Sequence, residues 1–100
     1  MANIGEDKTY AGITADEGFK LALEVFPLTG FEIWKTRPIG WLIIANRQTH
    51  SGVVNATVAF RPGGETAMTI SLTSDASPED EIRKCAEEFL RAFEQRLQSS

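Results

Sequence analysis

Between Ser77 and Leu97 the chain carries one long amphipathic helix, and the rest of the sequence has to supply a surface for it. Ile82, Cys85, Ala86, Phe89, Phe93 and Leu97 recur at three- and four-residue spacing and so share one face. Leu90 and Ala92 widen that face, while Arg83, Glu87, Arg91 and Glu94 lie opposite, in water. Ser77 is placed to cap the helix, Pro78 suits its first position, and Asp80 stands where a capping box takes an acid. A helix with such a stripe holds together only against an apolar layer. The strands upstream are patterned to provide one.

Met1 to Lys8 is polar and reads as a frayed N-terminal segment, with an optional short edge strand over Thr9–Ile13. Thr14-Ala15-Asp16-Glu17 is a capping box with an acidic first turn. The helix it opens carries Phe19, Ala22, Leu23 and Phe26, and Leu21 and Val25 extend the arc. Pro27 disfavours helix at Phe26, so the helix is expected to end or distort there and the chain to turn at Gly30. Strand-like runs follow at Phe31–Thr36, Trp41–Arg47, Val53–Phe60 and Thr66–Thr73. They are separated by Arg37-Pro38-Ile39-Gly40, by the loop Gln48–Gly52 and by Arg61-Pro62-Gly63-Gly64. The last two runs alternate cleanly, with Val54, Ala56, Val58 and Phe60, then Met68, Ile70 and Leu72, on one face. Connections this short force an antiparallel meander.

The fold expected is therefore an α+β two-layer sandwich, (β)-α-β-β-β-β-α. Its antiparallel four-stranded meander bears two helices on one face. Residues 14–98 form the single domain, preceded by the 1–13 segment. A chain of 100 residues is long enough to bury one such core layer.

A helix running into Gly30-Phe31-Glu32-Ile33 and a strand opening with Gly40-Trp41-Leu42-Ile43 resemble small bacterial envelope domains. After them come a Gly-turned hairpin, a strand of alternating Thr and aliphatic residues, and a closing helix with an acidic start. The likeness is to lipoprotein-type domains of unknown function. It extends to the helix-grip domains of the lipoprotein C component of the outer-membrane β-barrel assembly machine, and spans about Thr14 to Leu97. It implies a helix-grip-like fold. Two features depart from it. Pro27 interrupts the first helix, and the only cysteine is Cys85, so no lipid-acceptor cysteine stands near the N-terminus and membrane anchoring is not implied.

Candidate chemistry is sparse. His50, the only histidine, lies in a loop with no carboxylate beside it in sequence to orient it. It reads as a solvated loop residue. Cys85 sits near a helix start, where a dipole would activate a thiol, but its apolar neighbours make it a small core hydrophobe. With one Cys and one His the usual zinc sets cannot form within the chain. The acids at Glu79, Asp80 and Glu81 complement a helix N-terminus, and Glu87 pairs with Arg91 one turn on. Arg61-Pro62-Gly63-Gly64-Glu65 lacks the Lys and the helix of a phosphate loop. No catalytic residue, cofactor or metal is expected.

The informative pair is Trp34 and Trp41. If Phe31 and Ile33 face the helices, Trp34 faces away, and either face of the Trp41–Arg47 run is apolar. The open sheet face is then expected to gather Trp34, Trp41 and Ile43 beside Thr57, Thr69 and Ser71 as a contact surface. The bland reading covers both faces of the second strand within the monomer. The leading functional expectation is a non-catalytic protein-binding or assembly module whose partner is another protein or a second copy. The alternative is a small apolar-ligand domain with its pocket between helices and sheet. Ten basic against fourteen acidic residues argue against nucleic acid. No run is long enough to span a membrane, and residues 1–13 carry no signal-peptide pattern. The chain is expected in the cytoplasm, or in the periplasm if an export signal has been removed.

Overall fold

The computed structural model describes residues 2–99. In chain order the elements are β1 (Ala2–Tyr10), α1 (Ala15–Leu28), β2 (Glu32–Arg37), a 3-10 turn (Pro38–Gly40), β3 (Leu42–Gln48), β4 (Val53–Arg61), β5 (Thr66–Ser74) and α2 (Glu79–Ser99). All five strands form one antiparallel sheet in the order β1-β5-β4-β3-β2. Both helices lie on one face of it and share its core.

Each end of α1 follows from local chemistry. Thr14 Oγ1 accepts from Glu17 N (3.1 Å) and Glu17 Oε1 accepts from Thr14 N (2.9 Å), completing the capping box. Pro27 does not stop the helix at Phe26; α1 runs on to Leu28. Proline leaves the Leu23 carbonyl without its usual helical donor, and two residues on Thr29 closes the helix by donating through N–H and Oγ1 to the Val25 and Phe26 carbonyls. Gly30 then turns the chain at φ 85°. Its N–H donates to Pro27 O (3.3 Å) and Phe31 N–H to Phe26 O (2.9 Å). The Phe26 and Phe31 rings meet at 5.2 Å, so this is a Schellman end with its hydrophobic contact.

The inner sheet face is fixed by β4 and β5. Val54, Ala56, Val58, Phe60, Met68, Ile70 and Leu72 are all buried against the helices. On the other face Thr57 stands opposite Ser71, and Ala59 opposite Thr69. The β3–β4 loop comprises residues 49–52, since Gln48 pairs with Val53. Gly18 brings α1 down onto β4: a Cβ there would lie 2.8 Å from the Phe60 ring. At the N-terminus of α2, Ser77 makes a different contact from the cap expected of it. Its hydroxyl shares a hydrogen bond with Thr49 Oγ1 (2.9 Å), while Pro78 O accepts from Glu81 and Ile82.

Three expectations need correction. The sheet has five strands because the N-terminal segment is a full strand, Ala2–Tyr10, paired with β5 along its length. Residues 11–13 turn instead of pairing. Ile43 faces the core with no exposed surface, because its β4 partner is the buried Val58. Trp41 is not a strand residue on the open face. It ends the 3-10 turn in the left-handed region at φ 48°, with its side chain packed against the core.

Candidate functional site

The layer between helices and sheet is a row of aromatic rings along α2. Phe89 stacks on Phe26 of α1 (4.4 Å) and on Phe93 (5.9 Å), and Phe93 stacks on Phe60 of β4 (6.0 Å). Tyr10 of β1 closes the row against Phe93 at 5.3 Å. Met68, Ile70 and Leu72 form the floor, and the buried polar side chains Thr66 and Ser74 stand at the two ends of β5, with Ser77 just before α2. The layer is apolar, and its own side chains pack it.

Three concave surfaces border it. The seam between α1 and α2 holds a groove of about 290 Å³, in which Ile13, Leu21 and Leu97 are apolar and Glu17, Lys20 and Glu24 are polar. Arg96 crosses this seam to Glu24 at 3.4 Å. A groove of about 540 Å³ separates β1 from α2, lined by Glu6 and Lys8 on one side and Glu87, Leu90, Arg91 and Gln98 on the other. The Tyr10 phenol donates to Glu94 Oε2 at 3.0 Å between the same two elements. Burial, then that carboxylate, pushes the phenol above its ordinary value. A hollow of about 510 Å³ follows the β2–β3 connection over residues 36–40, where Ile39 is 96% exposed.

The residues expected to form one contact surface are not brought together. Thr57, Thr69 and Ser71 lie half-buried on the outer sheet face. Trp34 is 69% exposed, at a register break in β2 between Ile33 and Lys35. Trp41 and Ile43 belong to the core side. The outer face of β3 is instead Leu42 and Ile44, opposite Ala59 and Thr57. A four-residue loop after Gln48 would have revealed this from sequence, since it pairs the odd-numbered residues of β3 with the even-numbered inner set of β4.

Cys85, the candidate nucleophile, and His50, the candidate base, lie in different settings. Cys85 is 3% exposed, and burial, opposed by Arg47, raises its thiol pKa. Arg47 is held by Glu88 at 2.8 Å. His50 is exposed in the β3–β4 loop, where the neighbouring Ser51 donates to Glu81. Among the described residues no three His, Cys, Asp or Glu side chains gather as a metal site. No described helix is long and apolar enough to cross a membrane.

No family model matches the sequence, and no curated protein matches it. Solved structures do. Ara h 8.0201 superposes with a TM-score of 0.69 at 13% identity, over 98% of each chain. The di-domain ARO/CYC BexL from the BE-7585A biosynthetic pathway gives 0.71 at 10% identity; the match takes 98% of this chain and 47% of that one. TTHA0849 from Thermus thermophilus gives 0.69 at 12% identity, over 97% of each. The fold is the helix-grip. At 10–13% identity the likeness is one of architecture, and it extends over nearly the whole chain. The helix-grip part of the resemblance read from the sequence is thus met. None of these three neighbours is named as an envelope lipoprotein.

Proposed function

We propose that this chain is a small helix-grip binding domain, and that its ligand is a small apolar molecule taken up between the helices and the sheet. The observation that carries the proposal is the aromatic layer, in which Phe26, Phe60, Phe89 and Phe93 meet over Met68. Folds of this kind allow a pocket in that layer. Here the rings occupy it, so a ligand must displace them, and it must be small. The groove at Ile13, Leu21 and Leu97 is the natural mouth, because it opens on the helix seam that Arg96 and Glu24 bridge only at the surface. The two-state cost of opening comes out of the ligand's affinity, which favours a modest binder. Similarity to an ARO/CYC domain leaves room for chemistry on a bound ligand, but Cys85 and His50 are not placed to supply it.

A methyl and aromatic NMR titration with medium-chain fatty acids and one- to three-ring aromatics tests the proposal. Saturable shifts at Leu21, Leu97, Met68 and the four rings are expected. Shifts confined to Trp34 and Ile39 would reject it. They would favour a second reading, in which the exposed β2 residue and its hairpin tip contact another protein. That reading has its own support in the 69% and 96% exposure of those two side chains.

A further inference from the structure

The two edges of the sheet are unlike. β2 is six residues long and broken in register at Trp34, a form that deters further pairing. β1 pairs with β5 without a break over nine residues, and it ends the sheet. No strand covers its outer backbone edge among the described residues. The groove of about 540 Å³ between β1 and α2 runs beside that same edge. Ile4, Glu6, Lys8 and Tyr10 share the helix side of β1, while Asp7 points the other way and accepts from Thr69 (2.9 Å).

We infer that β1 is the contact edge of a symmetric dimer, pairing antiparallel with the partner's β1 about a two-fold axis at Asp7. The register follows from charge. With the axis at Asp7, Glu6 stands opposite the partner's Lys8, Lys8 opposite the partner's Glu6, and Ile4 opposite the partner's Tyr10. An axis at Glu6 or at Lys8 sets like charges against each other, and one at Gly5 sets Ile4 against the partner's Glu6. Of these four registers only the one at Asp7 forms opposite-charge pairs, Glu6 with Lys8 twice over. It makes one continuous ten-stranded sheet and brings the partner's strand across the open side of the groove. Its one adverse pair is Asp7 against the partner's Asp7 on the far face.

Sedimentation of the full chain and of three variants tests the inference. Wild type should sediment at twice the 11.0 kDa of one chain. Lys8→Glu replaces two attractive cross-strand pairs by repulsive ones and should weaken the dimer about tenfold or more. The double variant Glu6→Lys with Lys8→Glu restores opposite charges and should restore the dimer. Asp7→Asn, which keeps an acceptor for Thr69, should tighten it. Circular dichroism on each variant separates loss of dimer from loss of fold. A wild type that stays monomeric up to millimolar concentration would overturn the inference. So would a dimer indifferent to Lys8→Glu, or a folded double variant that remains as weak as the single one.

Discussion

Cys85 and Tyr10 have the same acid–base consequence. Both are neutral in the folded protein at pH 7, and both are held above the ordinary values of 9.0 and 10.0, chiefly by burial. The unfolded chain therefore loses these protons first as the pH rises. Stability from both groups is complete below about pH 8 and falls as the pH passes through and above 9–10. Denaturant melts across that range should show the decline, and Cys85→Ala with Tyr10→Phe should flatten it. A decline unchanged in the double variant would assign it elsewhere. The buried thiol should also react slowly with a thiol reagent in the folded protein and fast once unfolded. Rapid labelling of native protein would contradict its core placement. Gly18 offers a second residue-level check. Alanine should gain about 1 kcal/mol of helix propensity. Its Cβ would meet the Phe60 ring at 2.8 Å, and that ring is fixed between β4 and Phe93. Overpacking costs about 1–3 kcal/mol, so the net expectation is a loss of order 1 kcal/mol, read from the urea midpoint.

At the scale of elements, the helices were the most legible part of the sequence, because each is specified by a stripe and by caps. Thr14→Ala removes the Thr14–Glu17 box and should cost about 1 kcal/mol. A cost near zero would show that tertiary packing alone sets the start of α1. The strands were legible where their two faces differ, as in β4 and β5, and ambiguous where they do not. β3 is apolar on both sides, so its facing was set by pairing with β4, which placed Ile43 inward. The register break in β2 is a backbone event with no residue signature, so the sequence could not show where Trp34 sits relative to its neighbours. β1 was hidden for a different reason. Two of its four helix-side residues, Glu6 and Lys8, are charged because they face a groove instead of the core. Trp34→Lys should fold with unchanged stability, given 69% exposure of the indole. A variant that unfolds would put Trp34 in the core.

On the whole-molecule scale, five strands and two helices enclose one apolar layer, and what this chain has in common with its structural neighbours is the fold around it. Its candidate site was legible as apolar content, since the Phe and Leu residues of both helices were visible in the stripes. It was not legible as a site, because packing rings and ligand-binding rings have the same periodicity. What distinguishes them is whether the layer opens. A ligand that binds only the folded state raises the melting temperature saturably. A hundredfold excess over Kd adds about 2.7 kcal/mol, worth roughly ten degrees or more in a domain of this size. Melting the full chain against graded concentrations of medium-chain fatty acids and one- to three-ring aromatics is therefore the most direct measurement. A saturable rise is expected for at least one of these classes, abolished by Leu21→Asp at the mouth. A melting temperature unmoved by every member of the panel at its solubility limit would contradict the proposal.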